Sequence, residues 1–192
     1  CLSHDFVYHD LSKMMIFAGN HDTDRIGDVV RKNPERLKLV MTMLATMRGI
    51  PQIFAGDEMM FTSKDLSQGH GGLRVDFPGG WTGDAKNLFT AEGRTRLEKE
   101  LFDYTQRLFQ WRRGKSVIHN GRTMHFLSRD NTYAYFRYDD TDAVFVFINN
   151  SRGKKQVPWS HYAEIAEGLH DGRNVLTGEA ATVDDNTVAG AR

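Results

Sequence analysis

The sequence predicts an α/β segment followed by an all-β segment, and three observations carry that reading. Apolar runs with strand and helix character alternate in the N-terminal part in the order strand, helix, strand, which is the βαβ pattern of a parallel sheet. Near Asn120-Gly121 the helical spacing stops, and alternating runs such as Thr132-Tyr133-Ala134-Tyr135-Phe136-Arg137-Tyr138 take over. The composition is that of a globular chain of 192 residues, long enough to bury a core as one domain or two modest ones.

Taken in order, Met14-Met15-Ile16-Phe17 reads as a strand buried on both faces, because its apolar residues do not alternate with polar ones. It runs through Ala18-Gly19 into Asn20-His21-Asp22, an amide, an imidazole and a carboxylate at the C-terminal end of the strand. Asn33 is a suitable N-cap and Pro34 a suitable first helical residue. Leu37, Val40, Met41, Leu44 and Met47 then follow at helical spacing up to Gly49. A second short strand, Ile50 to Ala55, closes on Gly56-Asp57-Glu58. From Thr62 to about Thr90 comes a glycine-rich connection, a length that in compact domains goes with function or disorder. Leu97, Leu101, Tyr104, Leu108 and Trp111 mark one apolar stripe on a helix ending near Gly114.

A domain boundary is placed at residues 120 and 121. Beyond it, Asp139-Asp140-Thr141-Asp142 supplies the turn between the 132–138 run and Ala143-Val144-Phe145-Val146-Phe147-Ile148, which predicts a hairpin within an antiparallel sheet and a β-sandwich or small sheet domain. Val157-Pro158-Trp159, Tyr162 to Ile165, Asn174 to Leu176 and Thr182-Val183 are further short strand candidates. The tail from Asn186 to Arg192 shows no clear final strand.

Several classes are excluded or left open by composition. Lys plus Arg equal Asp plus Glu at 25 each, so no net field draws the chain to nucleic acid or to an anionic membrane. The single cysteine, Cys1, excludes an internal disulfide and a cysteine-based zinc site. No apolar run approaches the roughly 20 residues that span a bilayer. The first residues lack the basic start and apolar centre of a signal peptide and lack an initiator Met, which suggests a fragment; a cytoplasmic and a periplasmic home both fit. The Asn20-His21-Asp22 triplet is compatible with ordinary turn and capping chemistry. Taken alone it reads first as such a turn, although an adjacent Asp and His can also share a sugar or phosphate through several hydrogen bonds. His4, Asp5, His9 and Asp10 read as polar surface rather than a metal site, and Asn149-Asn150-Ser151 as a turn rather than a glycosylation acceptor.

The motifs together resemble those of the α-amylase superfamily, glycoside hydrolase family 13. Phe17-Ala18-Gly19-Asn20-His21-Asp22 is similar to the Phe-x-x-Asn-His-Asp motif after the seventh barrel strand, with Arg25 where many members carry an arginine. Gly49-Ile50-Pro51-Gln52-Ile53-Phe54-Ala55-Gly56-Asp57-Glu58 is similar to the eighth-strand segment Gly-x-Pro-x-x-Tyr-x-Gly-Asp-Glu. Leu73-Arg74-Val75-Asp76-Phe77-Pro78-Gly79-Gly80-Trp81 resembles a loop of neopullulanase and cyclomaltodextrinase-like members of the Bacteroidetes type. The resemblance implies that residues 1–120 are the last two βα units of a TIM barrel, incomplete here, and that residues 121–192 are a C-terminal antiparallel β-sandwich domain.

It also implies a chemistry. Retaining glycosidases place a carboxylate nucleophile and an acid/base about 5 Å apart around an oxocarbenium-like transition state, and hydrogen bonds to the sugar 2-OH strengthen as charge develops. By resemblance Asp22 is the transition-state stabiliser holding ring hydroxyls, and His21 and Asn20 are substrate binders. Arg25 either holds the same sugar or braces the loop. Asp57 and Glu58 are expected to be scaffold, His70 a solvated loop residue, and Trp81 either a sugar-stacking ring or packing on the barrel rim. The nucleophile and general acid belong to earlier barrel strands, so the 192 residues alone are expected to be inactive.

The implied partner is an α-glucan oligosaccharide cleaved at α-1,4 links in maltodextrins, starch or pullulan-type glucans. No nucleic acid or membrane is expected, and self-association could occur through exposed barrel edges. No cofactor is implied, while a structural calcium in the parent enzyme stays open. A non-catalytic α-glucan-binding homologue and a transferase or isomerase on the same scaffold are the alternatives.

Overall fold

The computed structural model describes residues 5–169, 171–182 and 188–190. The chain divides into two compact units, one formed by residues 13–45 and 49–109, the other by residues 1–12, 46–48 and 110–192. Cys1, His4 and Val183 lie outside the described residues, as does most of the tail from Asn186.

In the first unit, strand β1 (Met15–Phe17) leads through a turn into the short helix α1 (Ile26–Val29) and then helix α2 (Pro34–Thr46). Asn33 caps α2 as expected, its Oδ1 accepting the Arg36 amide at 3.1 Å. Strand β2 (Ile50–Gln52) returns parallel to β1, pairing Met15 with Ile50 and Phe17 with Gln52. The return turns on Gly49, whose φ of 105° and whose missing Cβ, which would stand 2.5 Å from the Met14 carbonyl, leave no other residue an easy fit. Helix α3 (His70–Leu73) lies within the long connection, and helix α4 (Arg96–Arg113) follows. Thr95 and Glu98 form a reciprocal capping box at the start of α4, Thr95 N donating to Glu98 Oε2 at 2.7 Å and Glu98 N to Thr95 Oγ1 at 3.3 Å.

The core of this unit joins Ile26, Val30, Leu37, Met41, Leu44 and Leu101. The 37, 41, 44 spacing is the helical stripe read from the sequence, and burying it is what stabilises α2. One expectation is corrected here: the strand at Met14 to Phe17 is not buried on both faces. Met15 is 58% exposed and Phe17 43%, with only Ile16 packed against the core. The sheet has two strands, and among the described residues its unbroken apolar run leaves alternate side chains of β1 in water.

The second unit opens with helix α5 (Ser116–Asn120), then a three-stranded antiparallel sheet of β3 (Arg122–His125), β4 (Thr132–Tyr138) and β5 (Ala143–Asn149), in the order β3-β4-β5. The hairpin of β4 and β5 closes where expected. Asp139 Oδ1 accepts the amides of Thr141 at 2.8 Å and Asp142 at 2.9 Å. Strand β6 (Lys155–Val157) precedes a 3-10 turn at Trp159–Tyr162 and helix α6 (Ala163–Ala166). Strands β7 (Asp171–Arg173), β8 (Ala180–Thr182) and β9 (Val188–Gly190) complete two antiparallel pairs, β7 with β8 and β6 with β9.

Three short assignments change. Tyr162 to Ile165 is helical rather than strand, because Trp159, Tyr162 and Ala166 reach one aromatic cluster only at helical spacing. That cluster covers one face of the sheet: the Phe136 ring lies 4.8 Å from Phe145, and Tyr162 meets Phe126 edge-on at 4.9 Å. Asn174 to Leu176 is a turn, closed by Asn174 Oδ1 accepting the Leu176 amide at 2.9 Å; the strand is the preceding β7. The tail does hold a final strand, β9, invisible to a hydropathy reading because Ala189 and Gly190 carry little side chain.

Arg137 organises the end of α5. It is buried in β4 with no carboxylate partner among the described residues, and its guanidinium donates to Thr123 Oγ1 at 2.9 Å, the Ile118 carbonyl at 2.9 Å and the Gly121 carbonyl at 2.8 Å. Burial pulls this group down to about 10, so it remains a cation near neutral pH. Arg137→Met is expected to cost about 2 kcal/mol in urea unfolding, because the carbonyls it satisfies would be left buried without donors. An unchanged unfolding midpoint would refute this.

Candidate functional site

The site lies where β1 ends. Two local hydrogen bonds make the turn: Asn20 N donates to Thr23 Oγ1 at 2.8 Å, and Asp22 N donates to Asn20 Oδ1 at 2.9 Å. Asn20 thus spends its side-chain oxygen on shaping the loop that presents its neighbours. His21 and Asp22 both stand exposed, with His21 Nε2 3.1 Å from Asp22 Oδ2.

Asp22 is the centre of the polar cluster. Its Oδ1 accepts from Arg74 Nη2 at 2.8 Å and lies 3.1 Å from His70 Nδ1. The Arg74 hydrogen bond, followed by that of His70, holds the Asp22 carboxyl below the usual carboxylate range. The group is therefore an anion at neutral pH, able to accept from hydroxyl donors. His70 is solvated, as expected of a loop residue, its side chain 62% exposed, and it also faces Asp22. Arg74 was missed as a site residue, and no local pattern marks it, since the contact spans the whole β2 segment and half the long loop.

Arg25 sits behind this surface, 1% exposed. It donates to the Ala55 carbonyl at 2.7 Å, the Leu73 carbonyl at 2.9 Å and Asp57 Oδ1 at 3.0 Å, and its guanidinium carbon lies 3.8 Å over the Phe54 ring. The buried guanidinium thus ties the turn to the Ala55 and Leu73 carbonyls and to Asp57 through its Nε and Nη1. Burial pushes the Asp57 carboxyl up to about 6, against the opposing hydrogen bond from Arg25. Glu58 turns back on its own loop, Oε2 accepting the Gly56 amide at 2.9 Å. Within this chain both carboxylates are thus taken up by structural contacts, Asp57 with Arg25 and Glu58 with its own loop.

The long connection is ordered by specific ties. Asp28 Oδ2 on α1 accepts from Ser63 N at 2.7 Å and Ser63 Oγ at 2.6 Å, and Lys64 N donates to the Gly72 carbonyl at 2.9 Å. Gly72 is obligatory, since a Cβ there would stand 1.8 Å from the Asp65 carbonyl oxygen. Further on, Phe77 packs between Phe61 at 5.6 Å and Phe89 at 4.6 Å. Trp81 is 83% exposed. Elsewhere Asp5 pairs with Arg48, and Asn149 is buried with its Oδ1 accepting from Ser151, which makes both polar groups structural. Among the described residues no group of three or more His, Cys, Asp or Glu is placed to hold a metal ion, and no helix is long and apolar enough to cross a membrane.

Comparison with known proteins fits this arrangement. Residues 123–191 match the cyclo-malto-dextrinase C-terminal domain. A cyclomaltodextrinase from a Bacillus species is 27% identical over 162 residues, covering 83% of this chain and 25% of that protein. A cyclomaltodextrin glucanotransferase from Geobacillus stearothermophilus is 23% identical over 186 residues, 93% of this chain and 23% of its own length. The chain thus spans about a quarter of the curated relatives it matches. The crystal structure of an α-amylase from Geobacillus thermoleovorans complexed with acarbose superposes with a TM-score of 0.70 at 21% identity, over 94% of this chain and 37% of that one, so the fold is shared. With residues 4–150 matching the α-amylase catalytic domain, most of the chain is accounted for by one family model, and the chain belongs to the α-amylase family.

Proposed function

We propose that the protein to which this chain belongs is a retaining α-glucan hydrolase acting on α-1,4 links in maltodextrins, with Asp22 as its transition-state stabiliser and His21 as a substrate binder. The observation that carries the reading is the ionised, exposed Asp22 held at the C-terminal end of β1 beside His21. Catalytic groups on parallel α/β barrels come from such strand ends. An anionic acceptor facing vicinal hydroxyls strengthens its hydrogen bonds as the ring gains positive charge, which is the differential binding that lowers the barrier. The nucleophile and the acid/base are assigned to earlier strands, so the 192 residues by themselves are expected to cleave nothing.

The test is incubation of the whole protein with maltotriose, reading product size and anomeric configuration by proton NMR. Glucose and maltose released with the α configuration support the proposal. Saturable binding without cleavage would instead make the protein a glucan-binding homologue. Products longer than maltotriose would favour transfer, a second reading prompted by the glucanotransferase relative, since hydrolysis and transfer differ only in what attacks the intermediate.

A further inference from the structure

The turn that carries Asp22 and the loop segment around α3 exchange arginines. Arg25, from the turn, donates Nε to the Leu73 carbonyl at 2.9 Å. Arg74, the next residue along the loop, reaches back with Nε to the His21 carbonyl at 3.2 Å and with Nη2 to Asp22 Oδ1 at 2.8 Å. His70 Nδ1 lies 3.1 Å from that same oxygen. The Arg25 half of this clasp is buried, whereas the Arg74 and His70 side chains are 51% and 62% exposed on the surface a ligand would meet.

We propose that Arg74 and His70 are positioning residues for Asp22, fixing the plane of its carboxylate through Oδ1 so that its remaining lone pairs are presented to the substrate hydroxyls. This rests on the role given to Asp22 above. A carboxylate offers about four acceptor sites, and two contacts at Oδ1 together with His21 Nε2 3.1 Å from Oδ2 still leave lone pairs to present to hydroxyl donors. The forked guanidinium suits the task, because it grips a backbone carbonyl and a carboxylate at once and so locks side chain and turn together. A lysine would supply the charge but only one directed contact. Holding the acceptor in advance spares the reaction the cost of ordering it when substrate arrives.

The experiment is steady-state kinetics of the whole protein on maltotriose, with Asp22→Asn, Arg74→Gln, Arg74→Lys, His70→Gln and the Arg74→Gln/Asp22→Asn pair. Arg74→Gln is expected to lower kcat/KM by at least about tenfold, mostly in kcat, because misplacing a reacting-site group costs the transition state more than the ground state. Arg74→Lys should recover part of the loss. On the Asp22→Asn background, Arg74→Gln should cost nothing further, which is the coupling that a merely structural arginine would not show.

The inference is overturned if Arg74→Gln stays within about twofold of wild type, or if its loss is undiminished on the Asp22→Asn background. Should Arg74→Gln fail to fold, His70→Gln on the two backgrounds decides by the same comparison. Full activity in Asp22→Asn removes the role of Asp22 and this inference with it. An impaired Asp22→Asn beside an unimpaired Arg74→Gln removes this inference alone.

Discussion

Asp22→Asn in the whole protein is expected to lower kcat/KM on maltodextrins by about 10²–10³-fold, with KM changed little. The substitution keeps the size of the side chain and leaves the turn intact, since it is the backbone amide of Asp22 that donates to Asn20. What it removes is the negative charge, and one carboxylate oxygen becomes an amide donor. In the ground state a neutral sugar hydroxyl distinguishes weakly between the two. As the glycosidic bond breaks and the ring becomes cationic, the charged acceptor gains and the neutral one does not, so the loss falls on kcat. The measurement is a kinetic comparison at neutral pH, where the wild-type carboxyl, held low by Arg74, is fully ionised. A variant retaining more than about a third of wild-type kcat would remove Asp22 from the mechanism.

Much of the fold is legible from local chemistry because the physics that sets it is local. Asn33-Pro34 starts α2 and the 37, 41, 44 stripe buries it; the Asp139 turn sets the register of β4 against β5, pairing Tyr138 with Ala143. Thr95 and Glu98, spaced as a capping box, were an available signal for the start of α4 that the apolar stripe alone did not use. Legibility fails where tertiary partners decide. The exposure of Met15 and Phe17 depends on what stacks on a sheet, and the helix at Tyr162 depends on an aromatic face supplied by β4 and β5. The site divides the same way. Asn20, His21 and Asp22 form one motif, whereas Arg74 and His70 reach Asp22 across some fifty positions, a closure that hydropathy and spacing do not encode.

The pair behind the site sets a second large effect, on stability. Asp57→Ala is expected to cost about 3 kcal/mol, near the lower end for breaking a buried ion pair, because Arg25 would keep the carbonyls of Ala55 and Leu73 while losing its counter-charge. Asp57→Asn retains an oxygen acceptor and should cost less. The pH dependence separates the two contributions. With its folded value raised to about 6 from 3.8, Asp57 holds a proton in the folded state that the unfolded chain has released between those pH values. The stability it contributes is therefore fully present below the unfolded value and is lost as pH rises through the folded one. Carboxylates held low, such as Asp22 and Glu98, act in the opposite sense and at more acid pH. Urea unfolding of wild type and Asp57→Asn across pH 4 to 7 should consequently show wild type losing ground to the variant as pH rises. Amide exchange at Phe61, whose N–H donates to the Gly56 carbonyl at 3.0 Å, reports the same loop locally. A constant difference between the two proteins over that range would mean that Asp57 stays ionised throughout, and that Arg25 stabilises the carboxylate more than burial penalises it.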